Sequence, residues 1–319
     1  MKLTETKIIN KYLKKLTFKN RNSLNLSDDI FYDKKHKVVI SKDTYEENLH
    51  FLDFYKPERF IKKIFRASVS DIICKGIRPR VYFLSLSLNN INIKWMQLFT
   101  ESLKNDSKKY NLYLGGGDLV KSKINSITIT VLGYIEKNKP ILRNNAKKND
   151  DIYVTGYLGD SYLGLLANNK KLNSNNLNYF RKIYREPNLK IKFSEQLFKF
   201  ANSSIDLSDG LIKDMNSICN ASICGANLNF FDLPFSKNAK ILFLKKKIKP
   251  LDIVSQGDDY EILFTANKKY RKLISTISKK TFTKVTKIGK IVAGKLVKMT
   301  KGNKNVDLSG IKTGFIHRF

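Results

Sequence analysis

The chain of 319 residues carries 60 Lys and Arg against 28 Asp and Glu, a formal net charge of +32, and 42% of its residues are hydrophobic. This length predicts about two domains with real hydrophobic cores. No apolar run approaches the roughly 18 residues that a membrane span needs, and the N-terminus lacks a signal-peptide core. We therefore expect a cytoplasmic protein with no membrane partner. Its three cysteines, an odd number without C-x-x-C spacing, predict buried free thiols.

The positive charge raises the question of nucleic acid. Only ten of the 60 basic residues are Arg, and Lys is spread along the whole chain. The densest run, residues 245–249, has no interleaved aromatic residues, so a solvated face is the better interpretation. We expect no nucleic-acid partner. A basic nucleic-acid-binding protein without catalysis is the alternative from another class, and it would leave the acidic turns described below unexplained.

The first part of the chain alternates helical and strand patterns. Apolar residues recur at helical spacing near the N-terminus and again before Gly76, which is a natural helix stop. Three glycines followed by Asp118 predict a turn that approaches a ligand closely. The predicted elements, in order, are a helix over 1–20, a strand over 38–40, a helix over 58–75, a strand over 80–88, a helix over 95–110, the glycine-rich turn over 114–118 and a strand over 126–135.

A polar stretch over 137–151 marks a change of composition, and we predict domains over 1–140 and 141–319. The second part restarts with a strand over 151–155 and a turn over 156–161, followed by a long helical region. Strands and helices alternate throughout, which predicts an α/β (α+β) protein of two domains. We expect an N-terminal domain with a mixed sheet and flanking helices, and a C-terminal α/β domain.

The stretch over 204–211 is the most informative part of the sequence. Its pattern predicts a strand that ends in a turn and leads into a helix, with Ser208 or Asp209 capping the first N–H groups. Asp206 lies three residues before Asp209, and two neighbouring carboxylates need a cation or a proton between them.

Acidic residues gather at strand ends and glycine turns in a chain that otherwise favours Lys. Oxygen ligands without nearby His or Cys suit Mg²⁺, which is held by a few carboxylates together with substrate phosphates. Several such ions are what phosphoryl transfer requires. The residues alone therefore predict a Mg²⁺-dependent enzyme acting on nucleotide phosphates. The acids concerned are Asp28, Asp29, Asp43, Asp71, Asp118, Asp206, Asp209, Asp258 and Asp259.

Nine motifs in a fixed order make the sequence resemble the thiamine-monophosphate kinase family, of the aminoimidazole-ribonucleotide-synthetase-like superfamily. The resemblance covers nearly the whole chain, and residues 314–317 are similar to the family's ending. The motifs lie at 27–29, 41–44, 50–51, 70–71, 116–118, 154–156, 158–161, 205–211 and 257–261.

The resemblance implies transfer of the γ-phosphoryl group of ATP to thiamine monophosphate, giving thiamine diphosphate, in a homodimer joined through the sheets of the N-terminal domains. It implies no side chain that acts by acid–base or nucleophilic catalysis, only positioning and metal electrostatics. Several Mg²⁺ ions would be held by Asp29, Ser41, Asp43, Asp71, Asp118, Asp206 and Asp209. ATP would contact Tyr110, Gly117, Asp118, Arg143 and Ser208, and thiamine monophosphate would contact His50 and Asp258.

The chain departs from the family pattern at several positions. Lys42 replaces Thr, which removes a hydroxyl ligand, and Leu119-Val120 replaces a Thr pair that could donate to phosphate. Asp258 replaces Glu and shortens its reach by one methylene. The aligned place of a C-terminal aromatic residue is taken by Arg318, so Phe319 receives no role. A sister enzyme of the superfamily that uses ATP on another substrate is the nearest alternative.

Overall fold

A computed structural model describes residues 4–136, 138–172, 174–245 and 248–309 of the protein. It contains a five-stranded and a seven-stranded β-sheet with helices packed around them. Mixed sheets and helices confirm the predicted α/β (α+β) class. The motif at 314–317 and Phe319 lie outside the described residues, as do two lysines of the basic run at 245–249.

The first sheet has the strand order β1-β2-β5-β3-β4, in which β3 and β4 are parallel and the other described pairs are antiparallel. Its strands are β1 Phe31–Asp33, β2 Val38–Glu46, β3 Pro79–Leu88, β4 Tyr113–Lys121 and β5 Ser126–Tyr134, and the helices of this part are α1 Glu5–Lys11, α2 Ile61–Cys74 and α3 Ile93–Tyr110.

The second sheet has the order β12-β11-β8-β10-β6-β9-β7, in which β11 and β8 are parallel. Its strands are β6 Asp151–Thr155, β7 Ala201–Asp206, β8 Gly225–Asn229, β9 Ile262–Ala266, β10 Val285–Val292, β11 Val297–Lys301 and β12 Lys304–Asn305. The helices around it are α4 Asp160–Asn168, α5 Leu177–Arg185, α6 Ile191–Ser194, α7 Leu211–Ser222, α8 Lys237–Leu244, α9 Pro250–Val254 and α10 Arg271–Lys280.

Helix α2 lies between the two sheets and organises the site. Twelve of its fourteen residues are buried, because it contacts β2 and β5 on one side and β7 on the other. Burying one of its Ile or Phe side chains stabilises the fold by about 1.5–3 kcal/mol. The helix ends at Cys74, and Gly76, the predicted stop, follows two residues later with a φ of +73°. Its buried Arg66 is neutralised by a bidentate pair with Asp106, at 2.6 and 2.7 Å.

Two predicted elements are wrong. The helix predicted over 1–20 ends at Lys11, and short 3₁₀ turns follow it. The glycine-rich stretch predicted as a turn over 114–118 lies within the edge strand β4. Glycine is needed there because a Cβ on Gly117 would lie 1.8 Å from the carbonyl oxygen of Leu84 on β3. Gly117 therefore serves close strand pairing.

The two sheets lie on either side of the predicted boundary at residue 140. The hydrophobic cluster around α2, however, also takes in Phe193, Phe200 and Phe264 from the second part of the chain. The division into domains at 140 and 141 therefore stays a prediction.

All three cysteines are free and buried, as predicted. Among the described helices, none has the length and apolar character needed to cross a membrane.

Candidate active site

Three carboxylates from three elements meet beside α2. Asp43 lies on β2, Asp71 on α2 and Asp206 at the end of β7. Each carboxylate accepts a hydrogen bond from a hydroxyl group. Ser41 Oγ donates to Asp71, and Ser70 Oγ donates to Asp206 Oδ2 at 2.6 Å. The Tyr45 hydroxyl donates to Asp43 Oδ2 at 3.2 Å. The sequence predicted all three acids. We call Asp43, Asp71 and Asp206 the acidic cluster.

The acidic cluster is short of positive charge. Loss of solvent raises the pKa of Asp71 well above its usual range, and the nearby carboxylates of Asp43 and Asp206 raise it further. Burial likewise raises the pKa of Asp43 and of Asp206. The Asp206 Oδ1 atom is buried and accepts no hydrogen bond from any described residue. A cation that bridges these oxygens would offset the repulsion and satisfy Oδ1.

Two further acids lie next to the acidic cluster, but they already have cationic partners. Lys75 Nζ lies 2.7 Å from Asp28 Oδ1 and 3.1 Å from Asp29 Oδ2. Arg143 forms an ion pair with Asp29 Oδ1, and its backbone N–H donates to Asp28 Oδ2 at 2.9 Å. One ligand atom each of Asp29, Cys74 and Asp206 lies within 4.8 Å of the others. The predicted metal ligand Asp29 therefore lies beside Asp206, held by two cations.

Asp118 lies apart from the acidic cluster within this chain. Across the first sheet, Asp43 on β2 is the cross-strand neighbour of Ile129 on β5. Ile129 is next to Leu84 on β3, and Leu84 is next to Gly117 on β4. Three strand spacings separate the two edges of this row, about 14 Å. Asp118 follows Gly117 on the exposed face of β4, where its Oδ1 accepts only the N–H of the next residue among the described contacts.

The turn over 207–210 differs from its predicted capping. Helix α7 begins at Leu211 after Gly210, and among the described residues no side chain of the N-cap position closes it. The buried carboxylate of Asp214 instead accepts the backbone N–H groups of Asp209, at 3.2 Å, and of Gly210, at 2.9 Å. Asp209 is half-buried and pairs with Lys213 at 2.7 Å, while Ser208 is exposed. The prediction of Ser208 or Asp209 as the cap is therefore wrong.

The predicted substrate residue Asp258 lies against the same turn. Its backbone N–H donates to the Ser208 carbonyl at 2.9 Å, and its carboxylate accepts the Tyr260 hydroxyl at 2.8 Å. Lys63 Nζ lies 2.9 Å from Asp258 Oδ2 and 3.8 Å from the centre of the Tyr184 ring. Burial acts against the charge on Lys63, but Asp258 raises the lysine's pKa on balance.

His50 lies beside the acidic cluster through Tyr45. The Glu46 backbone N–H donates to His50 Nδ1 at 3.0 Å, and the imidazole meets the Tyr45 ring edge-on, with 5.8 Å between the centroids. The Tyr45 hydroxyl in turn contacts Asp43. This chain of contacts links the predicted substrate residue His50 to the predicted metal ligand Asp43.

The two predicted nucleotide contacts with large side chains line different cavities. Arg143 lines a cavity of about 270 Å³ together with Lys19, Arg21 and Asp28. Tyr110 lines a cleft of about 720 Å³ between the end of α3 and the second part of the chain. Burial raises the pKa of Tyr110 to about 12, and its hydroxyl has no hydrogen-bond partner among the described residues. The structure does not bring Tyr110 and Arg143 to one cavity.

Sequence reasoning missed Lys63, Lys75 and Asp214. A lysine within a helix that carries an apolar stripe is the signal that could have found Lys63, whereas Lys75 follows the last helical residue and carries no such local signal. Asp214 lies in the first turn of α7, where a carboxylate can accept unpaired N–H groups.

The chain is similar to known proteins in sequence and in structure. Residues 27–135 match the family described as AIR synthase related protein, N-terminal domain. A thiamine-monophosphate kinase of Buchnera aphidicola subsp. Acyrthosiphon pisum is 37% identical, covering 91% of this chain and 92% of its own. One from Buchnera aphidicola subsp. Schizaphis graminum is 35% identical, with 99% of each chain covered.

A solved structure described as AaThiL complexed with AMPPCP and TMP has a TM-score of 0.84 and 27% identity, covering 99% of this chain and 97% of its own. Relatives at 37% and 35% identity, matched over most of both chains, show the family. The chain belongs to the thiamine-monophosphate kinase family.

Proposed function

We propose that the protein transfers the γ-phosphoryl group of ATP to thiamine monophosphate, giving thiamine diphosphate and ADP. The observation that carries this proposal is the acidic cluster, with its unsatisfied Asp206 oxygen, in a chain whose relatives are named thiamine-monophosphate kinases. The structural neighbour bound to AMPPCP and TMP supports both substrates. ATP is thus the co-substrate.

Mg²⁺ fits the acidic cluster because the donors are oxygens and two of the three acids, Asp43 and Asp71, are only half-buried. That openness leaves room for substrate phosphates as further ligands. When bound, Mg²⁺ would supply charge neutralisation of the transferring phosphoryl group. We propose several ions and the predicted ligand set of Asp29, Ser41, Asp43, Asp71, Asp118, Asp206 and Asp209.

The chain's own residues would bind and orient the substrates. Arg143, Lys19 and Arg21 give the smaller cavity three cations for phosphate, and both arginines carry a planar guanidinium group. The acceptor is itself a phosphate, which is mostly ionised near neutral pH, so no general base is needed. We propose Tyr110, Gly117, Asp118, Arg143 and Ser208 as ATP contacts, and His50 and Asp258 as contacts for thiamine monophosphate.

We expect His50→Ala to raise the apparent KM for thiamine monophosphate roughly tenfold, about 1.4 kcal/mol, while the KM for ATP changes little. The imidazole contacts the ring of Tyr45, whose hydroxyl lies against Asp43. Steady-state kinetics with each substrate varied would measure both constants. His36→Ala is the matched control, since that imidazole is exposed and pairs with Asp33 at 2.7 Å. A larger change in the KM for ATP would move His50 to the nucleotide site.

We also propose a homodimer joined along the edge strand β4. Its exposed apolar side chains include Leu114, Leu119 and Val120, at 53%, 66% and 48% exposure. An edge strand with exposed apolar residues is prone to pair with another chain, and two-fold symmetry is the commonest solution. Such a dimer would place Gly117 and Asp118 at the subunit interface. Sedimentation equilibrium should give twice the chain mass; a monomer at micromolar concentration would contradict this arrangement.

We infer a cytoplasmic location, because the free buried thiols suit a reducing compartment.

The decisive experiment for the function is an assay with Mg²⁺, ATP and thiamine monophosphate, in which the products are separated by chromatography. Equimolar thiamine diphosphate and ADP are expected. ADP formed without thiamine diphosphate would instead indicate a sister activity on the same scaffold.

A further inference from the structure

Lys75 is a fully buried lysine at the C-terminal end of α2, with 0% exposure. Its Nζ donates to the Ser204 carbonyl at 3.1 Å and lies 2.7 Å from Asp28 Oδ1 and 3.1 Å from Asp29 Oδ2. An ammonium group has three N–H donors and no acceptor. Oxygen atoms of Ser204, Asp28 and Asp29 therefore lie around the ammonium group, as ligands do around a bound cation.

The charge of Lys75 extends beyond its direct partners. Asp29 and Asp206 each place a ligand atom within 4.8 Å of the other, so the ammonium adjoins the acidic cluster. It lowers the pKa of both Asp71 and Asp206 against the opposing effect of burial. Among the described residues, Lys75 and Arg143 are the two cations that contact Asp28 or Asp29. Arg143 also lines the smaller cavity.

The buried lysines Lys63 and Lys75 differ in the number of their carboxylate partners. The Lys63 Nζ atom pairs with the single carboxylate of Asp258. Lys75 instead adjoins two carboxylates, and Asp29 Oδ2 accepts no hydrogen bond from a described residue although it lies 3.1 Å from the ammonium. That buried oxygen therefore has acceptor capacity left for a second cation.

We propose that Lys75 is a built-in cation of the metal site, which neutralises Asp28 and shares Asp29 with the divalent ions that bind at Asp43, Asp71 and Asp206. This inference rests on the proposed function insofar as the acidic cluster binds a divalent metal. Lys75 is a positioning residue, because it acts through Asp28 and Asp29. It sets how many divalent ions the site takes and how tightly it holds them.

The test is Lys75→Met, which keeps the length and apolar stem but removes the charge. The protein is titrated with Mn²⁺ alone, and free Mn²⁺ is measured by electron paramagnetic resonance. Removing a positive charge a few ångströms away should tighten Mn²⁺ binding roughly tenfold or more, or add one bound ion. Without metal the variant should melt at a lower temperature than the wild type, and Mn²⁺ should restore more of its stability than it adds to the wild type.

Three matched variants complete the experiment. Lys63→Met removes a buried ammonium from the same helix and should leave Mn²⁺ binding unchanged. Asp28→Asn keeps Lys75 and should weaken Mn²⁺ binding roughly threefold or more, because the ammonium then competes harder for Asp29. The double variant Asp28→Asn, Lys75→Met restores the charge balance and should bind Mn²⁺ like the wild type. The single Asp28→Asn variant tests the proposal even if Lys75→Met does not fold.

The outcomes separate this proposal from the proposed function. Mn²⁺ binding by the wild type, with no change in Lys75→Met and Asp28→Asn, would overturn the role of Lys75 and leave the metal site standing. A wild type that binds no Mn²⁺ would overturn the metal part of the proposed function, and this inference with it.

Discussion

Asp206→Asn is expected to lower kcat by about 10³-fold or more, roughly 4 kcal/mol of transition-state stabilisation. Asp206 is 1% exposed at the end of β7, and its Oδ1 atom has no described hydrogen-bond partner. Asparagine keeps the shape and can still accept from Ser70, but it removes the negative charge that a metal ion needs. Turnover with ATP and thiamine monophosphate at saturating Mg²⁺ would measure the loss.

The same substitution should stabilise the metal-free protein. Burial raises the pKa of Asp206 in the folded state, so the folded carboxylate is harder to ionise than the unfolded one. Stability from this group is therefore greatest at low pH and falls as the pH rises from the unfolded pKa through the folded pKa. At neutral pH the wild type carries an unfavourable charge that Asn removes. Thermal unfolding in chelator should show a higher Tm for the variant, and Mg²⁺ should raise the Tm of the wild type more.

Asp33→Asn provides the contrast. This carboxylate ends β1, away from the acidic cluster, and its bonds to His36 lower its pKa. Its substitution should leave turnover unchanged and slightly lower the Tm. If Asp206→Asn retained wild-type turnover, the acidic cluster would not be the metal site.

The local patterns of the sequence predicted much of this site. Helix α2 follows from apolar residues at helical spacing with a Gly after its last turn, and that helix carries Asp71. The acidic residue at the end of β7 follows from a strand pattern that breaks into a turn. Each of these signals lies within about a dozen residues, so periodicity and turn chemistry were sufficient.

The remaining features depend on contacts between distant parts of the chain. Lys75 meets Asp28 and Asp29 across more than forty positions, and nothing local distinguishes it from a surface lysine at a helix end. The edge strand β4 resembles a glycine turn until β3 lies beside it, when Gly117 becomes a point of close approach. Ion pairs and backbone contacts between distant elements thus determine these two features, which hydrophobic periodicity does not report.

Gly257→Ala is the second substitution for which we expect a large effect. Gly257 has a φ of +79°, and a Cβ there would lie 2.1 Å from the Ser208 carbonyl oxygen and 2.7 Å from the Asp209 carbonyl carbon. Both are backbone atoms, so no side chain can move aside. The two turns must separate, which also breaks the bond of 2.9 Å from Asp258 N–H to the Ser208 carbonyl.

We therefore expect Gly257→Ala to destabilise the fold by about 3 kcal/mol or more and to abolish measurable turnover, because Asp209 and Asp258 move together. Urea unfolding and kcat would be measured on the same sample. Gly302→Ala is the matched control: its φ is +62°, but its nearest neighbour, a Phe231 ring atom, would lie 3.9 Å away. The control isolates the strain of a positive φ, about 1 kcal/mol. Equal losses in the two variants would mean that backbone conformation, and not the contact between the two turns, sets the requirement for glycine at 257.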